Sequence, residues 1–350
     1  MPKIPDKGLY RMPAEWERQK STWIAWPHNK EDWPGKFSEI PRVFGKIITV
    51  LSKVQSVNVL VKNKSDQKTA VFFLKILGAK IKNIELIACK TDRAWARDFL
   101  PIFLKDKKNK NIISNWEFNG WAKYKNFKND NKAYLTIKRF KKIKIIKPKH
   151  MEKKIVLEGG SIDVNGDGLI LTTKQCLLSK IQQRNKGFKI NDYNQIFDKF
   201  FGVKKVIWLN KGIQGDDTHG HIDDIARFIS KNKIFIAKEK NKKDVNFKNL
   251  DENIRIVKEF KKTYNQKLEI VYLPMPKPKF IDGIRVPASY LNFYIANKLV
   301  LVPSFGDLND KIVIKIFKKH FKNRKIIPIN CSALVWGLGT LHCMTQQEPI

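Results

Sequence analysis

Residues 158–173 read EGGSIDVNGDGLILTT. Polar and apolar residues alternate through SIDV, NGDG supplies the Asn and Gly that tight turns demand, and LILTT resumes as an apolar run. The stretch predicts a strand-turn-strand hairpin opened by an acid and two glycines. The same order recurs at residues 97–118 (RDFLPIFLKDKKNKNIISNWEF), 219–238 (HGHIDDIARFISKNKIFIAK) and 289–304 (SYLNFYIANKLVLVPS), and a shortened copy, GLGTLHCMTQQ, lies near the chain end. Between the copies come amphipathic stretches such as NDYNQIFDKFFG, ENIRIVKEFKKTYNQ and NDKIVIKIFKKHFKNR, each leading into a short apolar strand such as KKVIWL or LEIVYL. Helical spacing in the first and strand chemistry in the second give a ββαβ unit. Five such units suit a closed, radially repeated α/β architecture, in which every hairpin opening faces one central channel and the two chain ends meet.

The chain has 350 residues, enough to bury a substantial core, and 69 Lys+Arg against 33 Asp+Glu give a net charge of +36. Such a balance first suggests nucleic acid or an anionic membrane surface as partner. The lysines, however, are scattered among Asn and Ile (KDKKNKN, KRFKKIKIIKPK, KEKNKKDVNFKN), which is the pattern of a solvated face rather than of a binding stripe. Neither nucleic acid nor a membrane is therefore the expected partner. The opening MPKIPDKGLYRMPAEWERQK has no apolar signal core, and no stretch approaches the ~20 apolar residues of a spanning helix, so a cytoplasmic protein is expected. Cys89, Cys176, Cys331 and Cys343 show no paired spacing and read as reduced thiols.

Three windows lack Lys and Arg altogether: residues 155–173, residues 212–226 and everything from Ile326 on. Buried strands exclude lysine, which accounts for the apolar halves of these windows. It does not account for the acids that stay. The windows hold Glu158, an Asp/His cluster and Cys343.

The residues that open the hairpins are Asp98, Glu158, His221 with Asp223, Asn292 and Cys343. Carboxylates converging on one channel can hold a guanidinium, whose planar fork matches them by paired hydrogen bonds. A thiolate above that plane faces the electrophilic carbon, and a histidine can serve as acid toward departing ammonia and base toward water. Each residue also has an ordinary reading: Cys343 as a small buried apolar residue, Asp98 as a partner of Arg97, and EGG as a mere turn. On a strand, His342 points away from Cys343 and reads as structural, whereas His219, His221 and Asp223 share one face. HGHID therefore also reads as a metal triad, the basis of an alternative metal-dependent hydrolase.

These residues lie in blocks that resemble the agmatine deiminase family, the bacterial-type branch of the peptidylarginine deiminase-like enzymes. The blocks are MPAEWERQKSTWIAWPHNKEDWPG, WARDFLPIF, EGGSIDVNGDGLILTTKQCLL, GDDTHGHIDDIARF, PASYLNFYIAN, FGD and LHCMTQQEP, in that order over residues 12–349. The resemblance implies a single catalytic domain over residues 1–350, folded as a five-bladed α/β propeller of ββαβ modules with pseudo-fivefold symmetry. It implies cofactor-free, metal-free hydrolysis of agmatine to N-carbamoylputrescine and ammonia through a thiouronium on cysteine, in putrescine synthesis. Another guanidine, such as peptidyl arginine, is the alternative substrate. Cys343 is then the nucleophile, His221 the acid and base, and Asp98 and Asp223 the guanidinium holders. Glu158, supporting His221 or the substrate, completes the substrate-binding set with Trp95, Asp217 and Asn292. Such chains commonly work as homo-oligomers.

Four departures stand out against the family pattern: Phe99 and Leu100 replace Thr-Gly, His219 replaces an acid, Leu338 and Thr340 interrupt the run before His342, and Ala122 breaks the glycine pair after Trp121. The catalytic positions are intact. A small cation approaching a chain of charge +36 meets an unfavourable long-range field and a favourable local one. Raising ionic strength screens the first more than the second, so the apparent KM for a guanidinium substrate is expected to stay level or fall between low and physiological salt; a steep rise contradicts a locally acidic channel.

Overall fold

The computed structural model describes residues 8–350; the start of the expected catalytic domain, residues 1–7, lies outside the described residues. Five sheets carry the expected order of antiparallel hairpin, helix and parallel strand. In one, Asp163–Val164 pairs antiparallel with Leu169–Thr173, which pairs parallel with Lys205–Leu209. Its turn is built by Asn165, whose Oδ1 accepts the backbone N–H of Asp167 and Leu169 at 2.9 Å each, while Gly166 and Gly168 take φ of 68° and 95°. The connecting helix Ile190–Phe201 buries Tyr193, Ile196, Phe197, Phe200 and Phe201, one apolar face at helical spacing. Gly202, at φ 68°, ends it by donating to Asp198 O and Phe197 O.

The next two sheets repeat the plan: Ala226–Ser230, Lys233–Lys238 and Glu269–Pro274 around the helix Phe247–Thr263, then Tyr294–Ile295, Leu299–Ser304 and Lys325–Asn330 around Leu308–His320. A fourth adds an outer strand, Tyr10–Arg11, to Ile102–Asp106, Asn111–Ser114 and Ile145–Ile146. The fifth is made from both ends of the chain. Gln346–Pro349 pairs antiparallel with Gln19–Ala25, which continues in parallel to Ser56–Val61 and Ile84–Ala88. The shortened copy GLGTLHCMTQQ is thus completed by an N-terminal strand, and the tail is ordered because it is a sheet strand. Among the described residues no helix is long and apolar enough to cross a membrane.

The site residues do not lie on strands, as strand alternation supposed, but in short helical turns or loops just ahead of each sheet's first strand. Asp98 lies in Ala96–Phe99, Glu158 and His221 flank the turns Gly159–Ser161 and Ile222–Asp224, and Asp223 lies within the latter. Asn292 precedes Tyr294–Ile295, and Cys343 precedes Gln346–Pro349.

A buried carboxylate latches the closing strand. Glu348 Oε2 accepts from Ser21 Oγ at 2.6 Å and Trp23 Nε1 at 3.0 Å, and lies 3.0 Å from Lys141 Nζ. Glu348→Ala strands two buried donors and is expected to cost about 1–3 kcal/mol of stability by urea unfolding. An unchanged midpoint contradicts the latch.

Candidate active site

Three side chains from two sheets gather around Gly160, which opens a third. A Cβ at that glycine would lie 2.6 Å from His221 Nδ1, 2.8 Å from Asp98 Oδ1 and 3.1 Å from Asp223 Oδ2. No larger residue leaves the three groups together. Gly160 also donates its N–H to Asp98 Oδ1 at 2.9 Å, and Trp121 Nε1 donates to Asp98 Oδ2 at 2.9 Å. His221 is set by its backbone: Asp216 Oδ2 accepts the N–H of Gly220 at 2.7 Å and of His221 at 3.0 Å, with Gly220 at φ 93°. Its ring lies 3.8 Å from Asp98 Oδ2 through Nδ1 and 3.9 Å from Glu158 Oε2 through Nε2, ion-pair rather than hydrogen-bond distances.

Cys343 is held by Asn292. The amide Nδ2 donates to Sγ at 3.0 Å and to Asp224 Oδ1 at 3.1 Å, while Oδ1 accepts from Thr340 Oγ1 at 2.9 Å and from the His342 N–H at 3.0 Å. Asp223 Oδ2 lies 3.8 Å from the sulfur. Asn292 thus holds the Cys343 sulfur and, like His221 and Asp223, is not among the residues that line the cavity. Glu158 is likewise away from the cavity wall, bound to Arg184 Nε at 2.8 Å and facing His221. Trp95, Asp98, Asp217 and Cys343 do line a cavity of about 490 Å³, together with Trp121 and Trp336. Asp217 accepts from Tyr124 Oη at 2.5 Å.

The metal triad expected from HGHID is not assembled. The segment forms a turn rather than a strand, and His219, at φ 69°, contacts Ser179 Oγ through Nε2 at 3.1 Å. Among the described residues the close group of potential metal donors is Glu158, Cys176 and His221 instead. His342 is corrected in the opposite sense. Because residues 341–344 form a turn, its ring comes inward, with Nδ1 2.6 Å from Asp223 Oδ2 and Nε2 2.9 Å from Glu15 Oε2. The ring thus bridges Asp223 and Glu15. Sequence reasoning missed Glu15, Trp121 and Tyr124, although each lies in or beside a block it singled out. Two of the departures from the glycine pattern, Ala122 and Leu338, occupy left-handed backbone at φ 54° and 66°, at roughly 1–2 kcal/mol each.

Burial and charge set the protonation states. Burial lifts the Cys343 thiol well above its usual range, and Asp223, Asp224 and Asp98 push the same way. Burial raises Asp98 to about 6, against the pull of His221. Burial alone would lower His221, but Asp98, Cys176 and Glu158 outweigh it and hold the ring protonated well above the ordinary range. Glu158 stays ionised, near 2, because Arg184 and His221 overcome its burial. Asp223 is held low by His342 despite burial, while Asp224 is pushed up by burial and by Asp223. Asp223 Oδ1 and both nitrogens of His221 are buried without a hydrogen-bond partner.

The raised thiol sets a test in the free protein: site-resolved alkylation of Cys343 by iodoacetamide is expected to be still climbing at pH ~9, beyond the midpoint of an ordinary thiol. A plateau below pH 8 contradicts the burial argument.

The matching protein family is the Porphyromonas-type peptidyl-arginine deiminases, over residues 11–349. A Legionella pneumophila (strain Paris) protein provisionally named agmatine deiminase is 32% identical, with 98% of this chain and 96% of that one covered. Among solved structures, a cysteine-to-serine variant of C. jejuni agmatine deiminase with substrate bound superimposes with a TM-score of 0.86 at 30% identity, over 97% of this chain and 96% of that one. Agmatine deiminase of Enterococcus faecalis superimposes with a TM-score of 0.87 at 26% identity, covering 100% and 99%. With the match running through every segment that carries the site, this chain belongs to the Porphyromonas-type peptidyl-arginine deiminase family.

Proposed function

We propose that the protein hydrolyses agmatine to N-carbamoylputrescine and ammonia through a covalent intermediate on Cys343. The five sheets are read as the blades of a ring, a five-bladed α/β propeller acting as one catalytic unit, with the site at its centre. The observation that carries the reading is the buried, unpartnered oxygen Asp223 Oδ1 beside a thiol flanked by carboxylates. A guanidinium supplies the donor that this oxygen lacks, together with a positive charge. Asp98 and Asp223 hold it by charge-assisted hydrogen bonds.

The bound cation lowers the cost of ionising the sulfur, and the thiol proton leaves as the cation settles. Sγ attacks the guanidinium carbon. His221 gives its proton to one departing nitrogen, ammonia leaves, and a cationic thiouronium remains on Cys343. Water then attacks the same carbon while His221 takes its proton. The carbon–sulfur bond breaks, and the product urea and the thiol are released. Glu158 and Arg184 orient His221, and Asn292 orients the sulfur.

Agmatine is favoured by the rest of the cavity. Its wall carries Glu31 and Asp217, which we read as the place of a second cation, besides Asp32, which is paired with Arg93 at 2.6 Å while Arg93 also donates to Asn126 at 2.8 Å. The relatives named for agmatine agree with this choice, and the product leads toward putrescine.

Ammonia release from agmatine, free arginine and a peptidyl arginine is expected to be greatest with agmatine, and Cys343→Ser is expected to lower it by on the order of 10³-fold or more. Preference for peptidyl arginine overturns the substrate, and full turnover by the serine variant overturns the chemistry. Asp98 carries its charge above about pH 6 and loses it below, so kcat/KM is expected to fall as pH drops through that value; an acid limb near 4 contradicts the role given to Asp98.

A further inference from the structure

A second thiol flanks His221 without a part in the proposed reaction. Cys176 lies in the short helix Lys174–Leu178, where Thr173 Oγ1 accepts its backbone N–H at 3.0 Å. The same hydroxyl donates to Gly220 O at 2.6 Å, which ties this helix to the residue before His221. One ligand atom each of Glu158, Cys176 and His221 lies within 4.8 Å of the others, and all three residues are buried. Glu158 Oε2 and His221 Nε2 have no hydrogen-bond partner, since Arg184 Nε occupies Glu158 Oε1 at 2.8 Å.

We propose that Glu158, Cys176 and His221 form an inhibitory binding site for a thiophilic divalent cation of the zinc class. Carboxylate, thiolate and imidazole are the ligands such an ion prefers, and three protein ligands leave a fourth position for water. Bonds of ~2.0–2.3 Å place tetrahedral ligand atoms roughly 3.3–3.8 Å apart. Closing the cluster around an ion therefore asks for a movement of about 1 Å, within reach of side-chain rotation. The thiol and imidazolium protons leave to solvent, and thiolate and carboxylate then balance the dication. Arg184 fixes the Glu158 carboxylate with its free oxygen toward the cluster, and its charge keeps the affinity moderate, so a chelator reverses the binding. An ion there takes Nε2, the nitrogen that faces Glu158, so the ring cannot carry the second proton that the proposed acid step spends, without touching Cys343. The inhibitory consequence rests on the deiminase reading; the binding does not.

The two are separated by using Cd²⁺ as a probe of thiolate ligation in full-length Cys343→Ser protein, with the ultraviolet cadmium–thiolate band as readout. A saturable band is expected in Cys343→Ser, its loss in Cys343→Ser/Cys176→Ser, and binding weaker by roughly tenfold or more in Cys343→Ser/His221→Asn. An undiminished band without Cys176, no band in Cys343→Ser, or unchanged affinity without His221 overturns the site. Circular dichroism checks that each variant is folded, and the histidine variant carries the test where the Cys176 variant is not. In the wild type, Zn²⁺ is expected to suppress ammonia release at least tenfold, with recovery on adding EDTA; less than twofold suppression at saturation overturns the inhibitory role. Absence of ammonia release from every guanidine overturns the deiminase reading and leaves the Cd²⁺ result standing.

Discussion

Glu15 is the carboxylate on which both the fold and the site depend. Its Oε1 accepts the N–H of Ile295 at 2.7 Å, while Oε2 lies 2.9 Å from His342 Nε2, 3.0 Å from Arg227 Nη2 and 3.3 Å from Arg97 Nη2. Those partners come from different sheets. Arg227 continues to Asp163 Oδ2 at 2.5 Å and Arg97 to Gln346 and Gln347 at 2.8 and 2.7 Å, so the network reaches all five sheets. Burial alone would keep Glu15 protonated, but Arg227, His342 and Arg97 together hold it far below the carboxylate range. A buried ion network of this kind is weak evidence for stability, since apolar packing could replace it. Its value is in register: removing one member leaves uncompensated charges at the junction of all the sheets. Because His342 joins Glu15 to Asp223, the contact that fixes the tail also fixes an acid of the site.

The electrostatic contrast between surface and centre follows from the same arrangement. Scattered lysines stay on the solvated face, where screening over about 10 Å leaves each with little reach. At the centre, Asp98, Glu158 and Asp223 are placed by backbone turns and by single hydrogen-bond donors, so their charge acts in a region from which water is largely excluded. The lysine-free windows 155–173, 212–226 and 326–350 are the segments that meet there. A long basic side chain in them would reach the three acids and cancel the site directly.

Much of this was legible because hairpins announce themselves locally. NGDG, the alternation around it and the helical spacing of residues such as Tyr193, Ile196 and Phe197 need no tertiary information. The convergence of Asp98, His221, Asp223 and Cys343 was legible for a related reason: each opens its hairpin at an equivalent place. The two misplaced histidines share one cause. Period-two reasoning was applied to residues 219–223 and 341–343, which are turns, and it turned His342 outward and gathered His219 inward. A helical turn of three residues has no periodicity long enough to detect. Glu15 was invisible for a different reason, since its partners lie far along the chain and nothing in MPAEWERQ sets it apart from an exposed acid.

On the proposed function, the raised thiol is a consequence of building a guanidinium site from acids. Every carboxylate that attracts the cation also disfavours a thiolate a few ångströms away, so in the empty site the sulfur holds its proton. That opposition disappears when a cation occupies the site, because the same acids are then compensated. A neutral electrophile gains no such assistance, and neither does an oxidant that requires the thiolate. On that proposal, selectivity for charged substrates and protection of the Cys343 sulfur between turnovers have a single electrostatic origin. Asn292, donating to the sulfur from behind, is the one neutral contact that favours the ionised form throughout, and it does so without contributing a positive charge that would repel the substrate.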